Sequence, residues 1–365
     1  MSQIVSYKKQ ALVLILIAIT VLLIAEGLAR FYEYAFMPCD ILYKKAFDNL
    51  NWFEKKQICA DLSNLTYSEY PIFHPNPNQH SQNVNINSIG LRNDELREKP
   101  HELYRIFVVG GSTTFGWHVK DSDAMPQQLQ KLLDKQFPEK IQVINAGNPG
   151  VTSFEELYLI KNKLIQLQPD MIIIYDGWND AWYQIAEEKT IKKEPITNDE
   201  TFKFKNFPGY RTPFVIYRIL TDSQTLNLFP TRPTTDIPTI TKVVDLWEYR
   251  MTEFCELAKK NNFTSVVLLQ PAPSVGSKIL TTEETKWKML VNKEWNYPLT
   301  LDVMKKKLPT LQPKCNVMND LTGIFDEEKG EIFYDFIHVN AKGNQLIASR
   351  ISEIITPTLA EKLST

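Results

Sequence analysis

The sequence lacks the patterns that mark several large classes of protein. The chain has 43 acidic and 41 basic residues, a formal net charge of −2 and no long basic stripe, which argues against a nucleic-acid partner. It has no H-E-x-x-H pattern and no Gly-Lys-Ser/Thr after a glycine-rich turn, which excludes a zincin-type metal site and a P-loop. No internal repeat occurs. Nothing in these patterns implies a metal or a cofactor.

An apolar run near the N-terminus is the clearest physical signal. Residues 11–25 are apolar except for Thr20, and roughly 18 residues of helix span about 27 Å, enough for a bilayer core. Lys8 and Lys9 precede the run, and the positive-inside rule then places residues 1–10 in the cytoplasm.

We therefore predict a single-pass membrane protein with a signal anchor at residues 11–29 and an extracytoplasmic main body. A cleaved signal peptide, with Gly27-Leu28-Ala29 as the cleavage site, is an alternative that also exports the chain. The third reading is a buried helix of a soluble protein, which conflicts with a run that is apolar on every face.

Cysteine is scarce, and no pair has CxxC spacing, which argues against a zinc or redox site. An even number of cysteines in an exported chain favours disulfides. The simplest of three connectivities joins Cys39 to Cys59 and Cys255 to Cys315. Four free and mostly buried thiols are the alternative.

The main body shows strands alternating with helices after residue 104. Short apolar runs predict strands at 105–109, 141–144, 171–175, 265–269 and 316–318, and helical periodicity predicts helices at 123–137, 154–167, 242–260 and 341–355. This alternation predicts an α/β protein, a three-layer α/β/α sandwich with a central parallel sheet.

The rest of the chain is less regular. Residues 30–100 are predicted to be a stalk and pre-domain, and residues 101–358 the main domain. Within it, residues at about 181–241 break the pattern and are too long for a plain loop, so they form an insertion at the strand ends. A lid over the site and a packed surface elaboration are both consistent with its composition.

Four polar or glycine-rich segments follow predicted strands or precede the last helix. They are Gly110-Gly111-Ser112-Thr113, Asn145-Ala146-Gly147-Asn148-Pro149-Gly150, Asp176-Gly177-Trp178-Asn179-Asp180 and Asp335-Phe336-Ile337-His338. Ligands of open parallel sheets bind beyond the carboxyl ends of the strands, where these segments are expected to meet.

The order and spacing of these segments resemble the SGNH, or GDSL-like, hydrolases. The resemblance covers roughly residues 84–355 and implies a flavodoxin-like sheet. It also implies Ser112 as nucleophile, Gly150 and Asn179 in the oxyanion hole, and Asp335 with His338 as the rest of the triad. Gly111 departs from the pattern, because the name-giving motif has Asp at that position.

The residues themselves support the same assignment. A serine nucleophile needs a base, and the chain has five histidines. His74, His80 and His101 lie in the pre-domain or at its junction, whereas His338 precedes the last helix and has a carboxylate, Asp335, three residues before it. His118 is close to Ser112 in sequence but has no such acid. The Ser112 and Gly150 backbone N–H groups and the Asn179 amide are the expected oxyanion donors. The alternatives are a polar pair at a helix start for Asp335 and His338, and an ordinary turn glycine for Gly150.

The sequence thus predicts a carboxylic ester hydrolase, a lipase or esterase that acts through an acyl-enzyme. Its expected substrates are O-acyl groups on small molecules, surface glycans or lipids, and the substrate class rests on the predicted location alone. An O-acyltransferase of surface polysaccharide would use the same intermediate. A non-catalytic surface binding protein on the same fold is the remaining alternative.

Overall fold

A computed structural model describes residues 6–36, 39, 41–62, 65–67, 73–96, 98–182, 209–221, 237–273, 275–287 and 297–364. The helices are α1 (Tyr7–Phe36), α2 (Trp52–Leu62), α3 (Ser112–Phe115), α4 (Met125–Gln136), α5 (Ser153–Asn162), α6 (Trp178–Trp182), α7 (Thr212–Thr221), α8 (Ile237–Asn261), α9 (Tyr297–Leu311) and α10 (Ala341–Leu363). The strands are β1 (Leu65–Tyr67), β2 (Phe73–Pro75), β3 (Gln79–His80), β4 (Asn85–Ile86), β5 (Tyr104–Gly110), β6 (Ile141–Gly147), β7 (Met171–Asp176), β8 (Thr264–Leu269) and β9 (Val317–Asp320).

The chain forms two compact units. The first contains residues 1–39 and 197–228, and the second contains residues 40–196 and 229–365. In the first unit, the 30-residue helix α1 is long and apolar enough to cross a membrane, and none of its most apolar 18 residues is buried. At 1.5 Å per residue it is about 45 Å long. The predicted apolar helix near the N-terminus is therefore confirmed.

The second unit is built on a five-stranded sheet in the order β6-β5-β7-β8-β9, with all neighbours parallel. Numbered along the sheet, this is the 2-1-3-4-5 order of flavodoxin-like folds. The register pairs Gly110 of β5 with both Gly147 of β6 and Tyr175 of β7, so these three strands end at about the same level. The predicted parallel sheet is confirmed, and its carboxyl edge gathers the loops that follow β5, β6 and β7.

Two hydrophobic cores cover the two faces of this sheet. Alternate strand residues point to opposite faces: Phe107 and Val109 belong to one core, and Ile106 and Val108 to the other. The first core is shared with helices α5, α8 and α9, and the second with α4 and α10. This is the predicted three-layer α/β/α sandwich.

Residues 30–100, expected to be a stalk and pre-domain, contain regular structure in their described part. Helix α2 and two antiparallel pairs, β1 with β2 and β3 with β4, form there. The side chain of Arg92 is fully buried and donates to the backbone oxygens of Phe115, Gly116 and Val119. Arg92 therefore fastens the end of this segment to the loop that follows Ser112, through polar contacts that leave no hydrophobic periodicity in the sequence.

The predicted disulfide between Cys255 and Cys315 is confirmed, with a Cα–Cα distance of 5.0 Å. It links α8 to the segment that precedes β9. Cys39 and Cys59 are also disulfide-bonded.

Most of the predicted insertion at 181–241 falls on residues 183–208 and 222–236, which lie outside the described residues. Its interpretation as a lid or a surface elaboration stays a prediction. Its described part includes α7, which belongs to the first unit together with α1, and the start of α8, which belongs to the second unit.

Candidate active site

Ser112 lies two residues beyond the end of β5 and begins the one-turn helix α3. The carbonyl oxygens of Gly111 and Ser112 accept from the Phe115 and Gly116 N–H groups and close this turn. The turn holds the partly exposed Ser112 side chain at the carboxyl edge of the sheet. That is the edge where the sequence predicted the functional segments to meet.

The structure brings Ser112, His338 and Asp335 together, although 226 residues separate the first two. His338 Nε2 lies 2.7 Å from Ser112 Oγ, and His338 Nδ1 lies 2.7 Å from Asp335 Oδ2. These are hydrogen-bond distances between a hydroxyl, an imidazole and a carboxylate in line. His338 is buried except for 9% of its surface.

Asp335 is held in place by its backbone neighbours as well. Its Oδ1 accepts from the Ile337 and His338 N–H groups at 2.8 and 2.7 Å. Burial by itself raises the pKa of Asp335, but the charge and hydrogen bond of His338 and these two N–H groups outweigh it, so the pKa lies below its ordinary value. The carboxylate is therefore ionised at neutral pH.

The Asp335–His338 segment is a turn rather than the start of a helix. An antiparallel bridge joins Phe333 to Val339 around it, and α10 begins only at Ala341, with Asn340 as its N-cap. The alternative of a polar pair at a helix start therefore does not describe the local structure, because Asn340 caps that helix.

The three predicted oxyanion donors lie on loops that contact one another. Asn179, in α6 after β7, donates through Nδ2 to the Val151 carbonyl at 2.6 Å, next to Gly150. Gly150 has φ +77°, a left-handed conformation that favours glycine. Within the described residues, the backbone N–H groups of Ser112 and Gly150 donate to no acceptor.

Gly111, where the name-giving motif has Asp, leaves room for the side chain of Asn179. A Cβ at this position would lie 2.5 Å from Asn179 Nδ2, closer than side chains approach one another. Its backbone is extended, with φ −78° and ψ −151°, which any residue can adopt. A side chain at position 111 would therefore displace the Asn179 amide, which rests against the turn that carries Ser112.

His118 also lies at this site, although no carboxylate precedes it at the spacing that joins Asp335 to His338. Its ring centroid lies 6.5 Å from that of His338 and 5.7 Å from that of Tyr334. Burial, and then repulsion from His338, lower the pKa of His118 to about 3. His118 is thus neutral at neutral pH, and its buried Nδ1 finds no hydrogen-bond partner among the described residues.

Aromatic side chains frame the imidazole of His338. The ring of Tyr334 stacks on it at 5.9 Å with an interplanar angle of 14°, and the Tyr334 hydroxyl donates to the Trp117 carbonyl at 2.6 Å. Trp178 is 3% exposed and stacks on Phe336, so its ring is part of the packing behind the site. Trp117 is partly exposed, and the side chain of Trp182 lies outside the described residues.

Behind the Asn179 loop lies a group of buried acids. Asp180 accepts from the Ser153 N–H at 3.0 Å and from the Ser153 hydroxyl, so it satisfies the first turn of α5. Nη1 of Arg250 lies 3.9 Å from Oδ1 of Asp180. Burial, followed by repulsion from Asp176 and Asp180, raises the pKa of Glu156 well above its ordinary value. In the described part of the chain, no three His, Cys, Asp or Glu side chains are arranged as a metal site.

The comparisons with known proteins find likeness in structure alone. No family model matches the chain, and no curated protein matches it. A lipase/acylhydrolase from Enterococcus faecalis is 15% identical, with a TM-score of 0.43, over 70% of this chain and 97% of that one. A putative G-D-S-L family lipolytic protein from Desulfitobacterium hafniense is 12% identical, with a TM-score of 0.41, over 68% and 98%.

A catalytic variant of an acetylxylan esterase from Geobacillus stearothermophilus gives 13% identity and a TM-score of 0.43, over 69% of this chain and 94% of that one. These structural neighbours are thus a lipase/acylhydrolase, a putative lipolytic protein of the G-D-S-L family and an acetylxylan esterase. The likeness is one of fold, and it assigns no substrate to this chain.

Proposed function

We propose that this protein is a serine ester hydrolase of the SGNH type. Ser112 is the nucleophile, His338 the general base, and Asp335 the residue that orients His338. The observation that carries the proposal is the line of hydrogen bonds from Ser112 Oγ through His338 to Asp335, each 2.7 Å long. A serine hydroxyl is a poor nucleophile unless a base at this distance takes its proton.

The position of Asp335 fixes the tautomer of His338. An ionised carboxylate only accepts hydrogen bonds, so Nδ1 of His338 carries a hydrogen and donates a hydrogen bond to Asp335 Oδ2. Nε2 then has a free lone pair, which accepts the hydrogen bond from the Ser112 hydroxyl. This is the arrangement in which imidazole acts as a base toward serine.

The reaction proceeds through an acyl-enzyme. Ser112 Oγ bonds to the ester carbonyl carbon while its proton moves to His338 Nε2. The tetrahedral intermediate collapses, the bond to the alcohol oxygen breaks, and His338 gives that proton to the departing alcohol. Water then repeats the sequence and releases the acid, and Asp335 stabilises the imidazolium in both halves.

Stabilisation of the oxyanion falls to the Ser112 and Gly150 backbone N–H groups and to the Asn179 amide. An amide nitrogen has two hydrogens, and Asn179 uses one of them to reach the Val151 carbonyl. The other is available to the intermediate. Donors that are already oriented cost no reorganisation during the reaction, and one of them contributes about 3 kcal/mol.

The proposed substrates are O-acyl groups on glycans or lipids at the outer surface of the membrane. The support is the location: α1 is long and apolar enough to cross a bilayer, and Lys8 and Lys9 precede it. Transfer of the acyl group to a second hydroxyl, in place of water, uses the same intermediate. Protease added to intact cells should remove the hydrolase domain and leave the N-terminus, whereas full protection would contradict this orientation.

The test of the activity uses a fluorophosphonate probe, which forms a covalent bond with activated serines. The full-length wild type in detergent should be labelled and Ser112→Ala should not, while the exposed Ser122→Ala serves as the matched control. An unlabelled wild type would favour a non-catalytic binding protein. Products formed from an aryl ester with an added polyol then separate hydrolysis from acyl transfer.

A further inference from the structure

The first unit contains a second helix besides α1. Helix α7 is joined to α1 by polar contacts that span residues 22 to 33 of the latter. The Tyr210 hydroxyl donates to the Leu22 carbonyl at 3.1 Å, and Arg30 donates to the Gly209 carbonyl at 2.9 Å. The uninterrupted apolar run of α1 ends at Ala25, so α7 starts at the level where this run ends.

Glu26 of α1 caps the N-terminus of α7. Its carboxylate accepts from the Arg211 N–H at 2.8 Å, the Thr212 N–H at 3.1 Å and the Thr212 hydroxyl at 3.1 Å. The first N–H groups of a helix have no partner within the helix, and away from water each must find one elsewhere. A glutamate from another helix supplies that partner here.

The charges at this junction neutralise one another. Arg211 makes a paired contact with Glu33, at 2.9 Å from Nε to Oε2 and 2.6 Å from Nη2 to Oε1. Oε1 of Glu26 also lies 2.8 Å from Nε of Arg30. Two carboxylates and two guanidinium groups are thus matched. Ionisable groups at a membrane are commonly paired in this way, because an unpaired charge is costly there.

The side of α7 that faces away from the first unit's interior is apolar. Val215 is buried, whereas Ile216, Ile219 and Leu220 are 51%, 54% and 78% exposed. Residues at spacings of three and four lie on one face of a helix. Helix α7 therefore presents an apolar stripe while its polar N-terminus is fastened to α1.

We infer that α7 is a second membrane-contacting element, an interfacial helix whose Ile216, Ile219 and Leu220 face lipid. The partner is the bilayer because Glu26 and Glu33 fix α7 to the part of α1 that emerges from the apolar run. A helix held there meets the boundary between headgroups and acyl chains, where amphipathic helices bury their apolar faces. Helix α7 thus returns the chain to the membrane that α1 is inferred to cross.

Spin-label accessibility tests this inference on the full-length protein in phosphatidylcholine–phosphatidylglycerol vesicles. A single Leu220→Cys is labelled, since the described cysteines are all disulfide-bonded. The matched control is Ile279→Cys in the other unit, where the side chain is 82% exposed. Oxygen concentrates in lipid and a nickel chelate stays in water, so their relaxation effects distinguish the two surroundings.

The label at position 220 should show several-fold more relaxation by oxygen than by nickel, and the label at 279 the reverse. Nickel access at 220 equal to that at 279 would place α7 in water. Protection from both reagents would place the stripe against protein, either this chain or a second copy. Either result would overturn the inference.

A second variant tests the contact with Glu26 separately. Glu26→Ala in the Leu220→Cys background removes the cap of α7 and leaves the apolar stripe intact. Because the cap positions the helix, the oxygen preference at 220 should fall toward the value at 279. An unchanged preference would overturn the role assigned to Glu26.

Discussion

The substitution Gly111→Ala should remove most activity without unfolding the protein. The added methyl carbon would stand 2.5 Å from Asn179 Nδ2, while the other nearest atoms are 3.5 Å and 3.8 Å away. The backbone at Gly111 accepts alanine, so the only atom that must move is the end of the Asn179 side chain. The substitution therefore acts on one proposed oxyanion donor.

The sizes of the two effects differ. When Asn179 turns away it loses its hydrogen bond to the Val151 carbonyl, which costs about 1 kcal/mol of stability. The lost oxyanion donor costs about 3–4 kcal/mol in the transition state, or roughly a 10²–10³-fold decrease in kcat. Activity should thus fall far more than stability.

The assay is turnover of a short-chain aryl ester, with the melting temperature measured in parallel. The matched control is Gly330→Ala, because no atom lies within 4 Å of its added Cβ. Asn179→Ala should lose as much activity as Gly111→Ala, and the double variant should be no worse than either, since the contact partner is gone. Near wild-type turnover in Gly111→Ala, or additive losses in the double variant, would refute this reasoning.

Three further predictions concern stability. The folded pKa of Asp335 is lower than its unfolded pKa of about 3.9, so the ionised carboxylate stabilises the fold above that unfolded pKa. This contribution is lost as the pH falls through the folded pKa. The melting temperatures of wild type and Asp335→Asn should therefore converge below about pH 4. Arg92→Ala leaves buried acceptors unpaired and should lower the free energy of unfolding by about 3–5 kcal/mol, whereas the exposed Arg350→Ala should change it by less than about 1 kcal/mol in the same urea titration. Replacing Cys255 and Cys315 by serine reopens a 60-residue loop and should cost about 4 kcal/mol by chain entropy, and an unchanged urea midpoint would contradict that estimate.

The parts of the site that the sequence predicted are those tied to strand ends. Runs such as Ile172-Ile173-Ile174 mark buried parallel strands, and the segments after them must lie at the carboxyl edge of the sheet. Asp335 and His338 could be joined to Ser112 because a serine needs a base and this histidine has an acid at close spacing. Local spacing and topology were sufficient to predict that these side chains lie close together.

Other features depend on contacts between distant segments, which a single sequence does not reveal. The space requirement at Gly111 exists only because Asn179 folds against it, 68 residues later in the chain. His118 has a positive φ of 60° and lies beside His338 and Tyr334, which belong to a distant segment of the chain. The contact between Glu26 and α7 joins residues 185 apart, and nothing in either segment alone predicts it.

The most direct test of the central claim is kcat for Ser112→Ala, His338→Ala and the double variant, with the full-length protein and one aryl ester. If Ser112 and His338 act as one unit, each single substitution should abolish most turnover, and the double variant should be little worse than either. Asp335→Asn should lose less, because it disturbs orientation and tautomer but leaves a base. Near wild-type turnover in His338→Ala, or losses that add in the double variant, would contradict the assignment.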